Sequence, residues 1–203
     1  MIVRDPYQIP PTTLGMKIGL FGGSFNPPHK GHLLVSKIAL RKLQLDRIWW
    51  IVTPGNPLKD THQLLPVAER IALCRKLVHH PDICITAFEI GFNNRYTADT
   101  VAILTGRRPS VHWVWVMGAD NLGSFHRWNR WRDIARDIPL AIIDRPGSTM
   151  SPNSTPATHS LSKFRLDERD AKLLAGTSPP AWTFIHGPRS HISSTQIRNT
   201  KSE

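Results

Sequence analysis

Short apolar runs alternate along the chain with longer segments in which apolar residues recur at helical spacing. Six runs are of strand length and are bounded by turn residues, so we predict a β-strand at each. They span residues 17–21, 48–52, 83–85, 112–117, 139–143 and 182–185.

Helical patterns separate several of these runs. Residues 32–43 are strong helix formers with a broad apolar arc. Residues 67–78 place apolar side chains at the i, i+4, i+7 and i+11 spacing of one helix face, and Pro66 suits the start of that helix. Thr97 is the expected N-cap of a further helix that runs through Leu104, with Asp99 near its positive end.

This alternation predicts βαβ units and therefore an α/β fold. We expect a Rossmann-like, doubly wound parallel sheet with helices on both faces, because strands that read as continuous apolar runs are buried on both sides. Ligands of such folds bind in the crevice beyond the carboxyl ends of the strands. Functional residues are therefore expected directly after strands.

The length of 203 residues suits one domain, which we expect to cover residues 16–203. Residues 1–15 precede the first strand and form an N-terminal extension without the apolar region of a secretory signal, so translation starts at either Met1 or Met16. Residues 145–180 are rich in Ser, Thr and Pro in their first half, and we interpret them as a flexible insertion with a short surface helix at 166–174.

Composition adds a charge argument. The net charge of +11 favours anionic partners, which include nucleic acid, anionic lipid and phosphorylated small molecules. No apolar run approaches the roughly 20 residues that span a bilayer, so we expect a cytoplasmic protein without a membrane partner. Cys74 and Cys84 lack the spacing of a metal or redox site and are expected to be buried thiols.

The first segment with chemistry is residues 22–32, GGSFNPPHKGH, where a strand ends and a helix begins. Gly22 and Gly23 let the backbone approach a ligand, and the helix N-terminus offers N–H groups to a phosphate. His29 and His32 are three residues apart and can face one point, where they would stabilise the charge that grows during phosphoryl or nucleotidyl transfer. Zinc binding by the two histidines is an alternative, although no third ligand lies nearby in sequence.

The second segment is residues 192–198, ISSTQIR, which we expect to open a short helix at 194–199 capped by Ser193. Its three hydroxyl residues and the helix N-terminus converge on one point, and Arg198 can reach the same anion from one turn away. A simple helix cap is the alternative interpretation of this segment.

Together the two segments resemble the HxGH and ISSTxIR signatures of the nucleotidyltransferase superfamily, and residues 22–32 are similar to those of bacterial nicotinate-nucleotide adenylyltransferases. Asn26 departs from the superfamily, which often has aspartate there. The resemblance implies a set of ATP-binding residues. They are Gly22, Gly23, Ser24, Phe25, His29, His32, Asp120, Ser193, Ser194, Thr195 and Arg198.

Three further segments match the same family in the family's order, at residues 54–59, 96–100 and 117–128. The resemblance implies that Trp128 stacks on the pyridine ring of nicotinate mononucleotide and that the backbone of Thr97 and Ala98 holds its carboxylate. The implied binding set for nicotinate mononucleotide is Asn56, Lys59, Thr97, Ala98 and Trp128.

The activity expected from this resemblance is adenylyl transfer from ATP to nicotinate mononucleotide, with His32, His29 and Lys59 as catalytic residues. Mg²⁺ is expected to accompany ATP, held mainly by its phosphates. Three alternatives are a variant that accepts the amide mononucleotide, a transferase for another phosphorylated acceptor such as pantetheine phosphate, and a nucleic-acid-binding protein. The last would explain the charge and leave both signatures without a purpose; the sequence defines no oligomeric state.

Overall fold

A computed structural model describes residues 5–55, 64–94, 96–144 and 155–187. Within them, seven strands form one sheet. These are β1 (Lys17–Gly23), β2 (Arg47–Val52), β3 (Ile83–Thr86), β4 (His112–Gly118), β5 (Leu140–Ile143), β6 (Arg165–Leu166) and β7 (Trp182–Ile185).

The α-helices of the described residues lie between these strands. They are α1 (Lys30–Lys42), α2 (Val67–Leu77), α3 (Thr97–Arg107), α4 (Ala119–Phe125), α5 (Trp131–Asp137) and α6 (Pro156–Ser160). Three segments are 3₁₀-helices, at Phe88–Phe92, Ser162–Phe164 and Glu168–Gly176. None of the helices in the described residues is long and apolar enough to cross a membrane.

The strand order in the sheet is β3-β2-β1-β4-β5-β7-β6, and every neighbouring pair is parallel. β1 therefore lies between β2 and β4, and the chain adds strands first on one side of β1 and then on the other. The predicted doubly wound α/β fold is confirmed. Its topological switch point, where such folds bind ligands, lies between the carboxyl ends of β1 and β4.

The sheet separates two apolar cores, one on each face, because successive strand residues point to opposite sides. On β2, Trp49 belongs to one core and Trp50 to the other. Helices α1 and α2 cover the core of Trp50, whereas α3, α4 and α5 cover the core of Trp49. Burial on both faces explains why the strands read as continuous apolar runs.

Two predicted helix starts differ from the structure. Thr97 is wrong as an N-cap, because the cap position belongs to Tyr96 and Thr97 is the first helical residue. Helix α1 begins at Lys30, two residues earlier than predicted, because the side chain of His29 caps it. The third predicted start, at Ser193, lies outside the described residues.

The structure also describes parts of the N-terminal extension and of the insertion predicted at 145–180. In the N-terminal segment, the carbonyl oxygen of Pro6 accepts hydrogen bonds from Thr86 Oγ1 (3.0 Å) and Ala87 N (2.7 Å). Thr86 is the last residue of β3, and Ala87 follows it. Residues 155–180 contain α6, β6 and two 3₁₀-helices. The surface helix expected at 166–174 is the 3₁₀-helix Glu168–Gly176, and it buries Ala171, Leu174 and Ala175 against the core of Trp50.

Candidate active site

Two histidines close the N-terminus of α1 at the carboxyl end of β1. The Nδ1 atom of His29 accepts a hydrogen bond from Gly31 N, and Nδ1 of His32 accepts one from His29 N, both at 3.1 Å. This is the reciprocal arrangement of a capping box, made here by imidazoles. Because both Nδ1 atoms act as acceptors, each neutral ring carries its proton on Nε2. The Nε2 atom of His29 is itself buried.

The imidazole of His32 rests on a stack of aromatic rings. Its centroid lies 4.9 Å from that of Phe25, and Phe25 stacks on Trp50 at 4.7 Å with an interplanar angle of 8°. Trp50 Nε1 donates to Ser36 Oγ (2.6 Å), which donates to the carbonyl oxygen of His32 (2.9 Å). His32 is thus held from both its ring and its backbone, and Phe25 beneath it is a buried residue.

Gly22 meets a tryptophan rather than open space. A Cβ atom added to Gly22 would lie 2.9 Å from Cη2 of Trp115 on β4, so a larger residue there would push the Trp115 ring aside. The ring of Trp115 in turn meets that of Trp128 edge to face at 6.2 Å. Trp115 therefore connects the loop after β1 to Trp128 across the switch point of the sheet.

Trp128 and the N-terminus of α3 flank the second half of this crevice. Trp128 is half-buried and packs edge to face on Phe125, at a centroid distance of 5.3 Å. Thr97 and Ala98 lie in the first turn of α3, where helix geometry provides no carbonyl acceptor for the backbone N–H groups. An anion bound there would gain from these N–H groups and from the helix dipole.

An ion pair connects the first turn of α3 to the segment that follows Trp128, because Arg130 Nη2 donates to Asp99 Oδ1. Asp99 lies in the first turn of α3, and Arg130 follows Trp128 by two residues and precedes α5. The pair also neutralises the carboxylate that is nearest in sequence to Thr97 and Ala98. The positive end of α3 thereby keeps its attraction for an anion.

Comparison with known proteins gives the family. The model of the cytidylyltransferase-like family matches residues 20–200. A probable nicotinate-nucleotide adenylyltransferase of Brucella abortus is 59% identical over 186 residues, which cover 92% of this chain and 96% of that protein. One of Mesorhizobium japonicum is 55% identical over 190 residues, covering 94% and 97%.

The chain belongs to the nicotinate-nucleotide adenylyltransferase family. The resemblance seen in the HxGH and ISSTxIR segments is thereby confirmed. A solved structure of Plasmodium falciparum nicotinic acid mononucleotide adenylyltransferase complexed with NaAD covers 90% of this chain, and this chain covers 82% of it. Its TM-score of 0.67 at 17% identity supports the same fold.

The described residues of this family member include ten of the predicted site residues. Nine of them lie at or after the carboxyl ends of β1 and β4 or open α3: Gly22, Gly23, Ser24, Phe25, His29, His32, Asp120, Thr97 and Ala98. The tenth is Trp128, which follows α4. The remaining six lie outside the described residues, and their roles stay predictions: Asn56, Lys59, Ser193, Ser194, Thr195 and Arg198.

The alternative of a histidine zinc site gains no support from the described residues, which hold no group of three His, Cys, Asp or Glu side chains able to bind a metal. The two cysteines are both buried and free of disulfides, as predicted. Burial raises the pKa of Cys74 to about 12 and that of Cys84 to about 11. Both thiols therefore stay protonated at neutral pH and are poor nucleophiles.

Sequence reasoning missed three residues that support the site. Trp115 reads as an ordinary strand residue, Arg70 as a surface residue of an amphipathic helix, and Glu89 as a single charge in the apolar run after β3. All three are buried. One sequence signal was present: Arg70 lies three residues after Val67 and four before Cys74, on the apolar side of the predicted helix, where a charged residue needs partners.

Proposed function

We propose that this chain transfers the adenylyl group of ATP to nicotinate mononucleotide, giving nicotinate adenine dinucleotide and pyrophosphate. The observation that carries the proposal is the pairing of two features across one switch point, in a member of this family. One is the histidine-capped N-terminus of α1, and the other is Trp128 together with the N-terminus of α3, which the ion pair of Arg130 with Asp99 links to the segment after Trp128.

The reaction needs no covalent enzyme intermediate. A phosphate oxygen of the mononucleotide forms a bond to the α-phosphorus of ATP, the bond from that phosphorus to the bridging oxygen of pyrophosphate breaks, and pyrophosphate leaves. A phosphate is already ionised at neutral pH, so no general base is required. Catalysis then rests on alignment of two anionic substrates and on donors that meet the charge of the transition state.

The imidazole Nε2–H groups of His29 and His32 are suited to that second task. Hydrogen bonds fix each Nδ1 atom, so the rings are oriented before substrate arrives. Preorganised donors of this kind stabilise developing charge without reorganisation during the reaction. Lys59 and Arg198 are expected to add cationic contacts.

Selection of the acid over the amide has a physical basis at the other half of the crevice. The carboxylate of nicotinate is an anion, and the N–H groups of Thr97 and Ala98 with the α3 dipole favour an anion over a neutral amide. The face of Trp128 offers a stacking surface for the electron-poor pyridine ring.

We propose that Mg²⁺ enters with ATP, coordinated chiefly by the phosphates. When bound there it would neutralise part of their charge. In the described residues, the carboxylate that the family resemblance places near the nucleotide is Asp120, in the first turn of α4. A single carboxylate suits a metal that is held mainly by its substrate.

The deciding experiment measures pyrophosphate release with ATP and Mg²⁺, with nicotinate mononucleotide and its amide compared in parallel. Release with the acid far above the amide is the expected result. Equal release with both would contradict the proposed selectivity, and release with pantetheine phosphate alone would reassign the acceptor. Release with none of the three would overturn the proposed substrate.

A further inference from the structure

Arg70 on α2 is fully buried, and its guanidinium connects three separate segments of backbone. Its Nη1 donates to the carbonyl oxygens of Ser24 (2.7 Å) and Thr53 (2.8 Å), and its Nε donates to that of Leu65 (2.8 Å). Ser24 is 46 residues away in sequence and Thr53 is 17. One side chain therefore joins α2 to the ends of two different strands.

Two of these carbonyls belong to loops at the ligand-binding edge of the sheet. Ser24 follows β1 in the loop that leads to the histidines of α1, and Thr53 follows β2. The two strands are direct neighbours, with Gly23 opposite Val52. Thr53 N also donates to the carbonyl oxygen of Gly23 at 3.1 Å, so the two loop starts already touch where Arg70 binds them.

Leu65, the third segment, is itself tied to the β1 loop, because Leu65 N donates to Asn26 Oδ1 at 3.2 Å. Asn26 lies between Ser24 and His29. The loop after β1 is thus held twice, once through its backbone by Arg70 and once through the side chain of Asn26. Asn26, the residue at which the chain departs from the aspartate of the wider superfamily, therefore helps to hold this loop.

The chemistry of these contacts calls for arginine. Burial lowers the pKa of Arg70, because removal from water disfavours the charged form. A guanidinium so placed needs carbonyl dipoles to offset the lost hydration, and its planar fork of donors reaches several carbonyls at once. Lysine carries the same charge on a single nitrogen and cannot reproduce the fork.

We propose that Arg70 is a positioning residue of the adenylyl-transfer site. It holds the loop after β1 and the turn after β2 in one arrangement, and through the first of these it sets the position of His29 and His32 relative to the substrate phosphates. The proposal rests on the proposed function, since it assigns Arg70 a part in aligning that reaction.

Steady-state kinetics of Arg70→Lys and Arg70→Ala test the proposal, with Cys74→Ala as the matched control. Cys74 lies one turn further along α2, is equally buried and is near enough to Arg70 to interact with it electrostatically, but it takes no part in the described hydrogen bonds to the two loops. Arg70→Lys is expected to stay folded and to lower kcat/KM by about 10- to 100-fold, since a misplacement of about 1 Å can cost that much. Cys74→Ala is expected to lower the melting temperature and to keep wild-type kcat and KM well below that temperature.

Chemical rescue separates positioning from folding. Guanidinium chloride at non-denaturing concentration is expected to restore part of the activity of Arg70→Ala, because the ion can occupy the space left by the side chain, and to leave Cys74→Ala unchanged. Wild-type kinetics in Arg70→Lys, or activity losses in all three variants that follow only the unfolded fraction, would overturn the proposal. Because wild-type protein is assayed in parallel, its failure to release pyrophosphate would count against the proposed function instead.

Discussion

At the scale of single residues, the two ring nitrogens of each histidine in the pair have different roles. Helix caps are usually oxygen acceptors from Ser, Thr, Asp or Asn. In this chain Nδ1 of each imidazole takes that part, so both rings must keep Nδ1 unprotonated for the cap to persist. The same requirement leaves Nε2–H as the donor, and the cap thereby fixes the tautomer that charge stabilisation needs.

Replacement of His32 by alanine is predicted to lower kcat by about 100-fold or more, the usual effect of removing one preorganised donor to a transition state. The assay is pyrophosphate release at saturating ATP and nicotinate mononucleotide. His79→Ala, at an exposed histidine after α2, is the control and should behave as wild type. A kcat for His32→Ala within twofold of wild type would remove this residue from the catalytic set.

Trp128→Ala is predicted to raise KM for nicotinate mononucleotide by about tenfold and to leave KM for ATP nearly unchanged, because a stacked aromatic pair contributes about 0.5–1.5 kcal/mol. Trp131→Phe is the packing control, since Trp131 contacts the ring of Phe125 at 5.8 Å, as Trp128 does at 5.3 Å. Equal changes in KM for both variants would mean that Trp128 acts only through packing.

At the scale of elements, the sequence was most informative where a local rule decides the structure. Apolar runs predicted six of the seven strands, and the glycine and histidine segment predicted the strand-to-helix turn between β1 and α1, with each boundary two residues off. The missed strand is β6, which has two residues and no apolar run. Helices α4 and α5 were also missed, because each has only seven residues and its pattern is too short to have a clear period.

The ion pair between Asp99 and Arg130 acts between elements, since it joins the first turn of α3 to the residue that precedes α5. Both side chains are about half exposed, so the pair is expected to contribute at most about 1 kcal/mol to stability. Its predicted effect is on binding. Arg130→Gln should raise KM for nicotinate mononucleotide a few-fold, because it leaves the Asp99 carboxylate uncompensated beside the N–H groups of Thr97 and Ala98. Asp99→Asn removes that carboxylate and should leave KM unchanged or lower, and the double variant should resemble Asp99→Asn.

The comparison is a double-mutant cycle on KM, with Arg136→Gln as the control. Arg136 pairs with Asp133 at 2.9 Å and with Asp137 at 3.5 Å, both within α5, and no ion pair among the described residues links it to a second element, so its removal should leave KM unchanged. Strictly additive effects of the Asp99 and Arg130 changes would show that the pair does not couple the two elements.

At the scale of the whole molecule, the contacts of the residues that support the site could not be predicted from the sequence, because their partners are distant in the chain. Arg70 meets carbonyls 5, 17 and 46 residues away, and no periodicity encodes such contacts. No single segment encodes the order of the strands in the sheet either. What the sequence could supply was the set of residues at strand ends, which the parallel sheet then brings to one edge.

One buried carboxyl makes the stability of the whole molecule depend on pH. Glu89 is 4% exposed, and Thr100 Oγ1 donates to its Oε1 at 2.5 Å while accepting from Asn94 Nδ2 at 2.8 Å. Burial raises the pKa of Glu89 from 4.5 to about 7, and the hydrogen bond from Thr100 offsets part of that rise. The folded state therefore binds this proton more tightly than the unfolded state does.

Because the folded pKa lies above the unfolded value, the contribution is fully present below pH 4.5 and is lost as pH rises through about 7. The shift corresponds to a loss of about 3 kcal/mol in the free energy of unfolding. Glu89→Gln replaces the titratable carboxyl with a neutral amide. The difference in the free energy of unfolding between wild type and variant should therefore move by about 2–3 kcal/mol in the variant's favour from pH 5 to pH 8. Urea denaturation at several pH values measures it, with Glu69→Gln at an exposed position of α2 as the control that should follow the wild-type curve. Parallel curves for wild type and Glu89→Gln would show that Glu89 has the same proton affinity in the folded and unfolded chain, and that its burial beside Thr100 is fully offset by its partners.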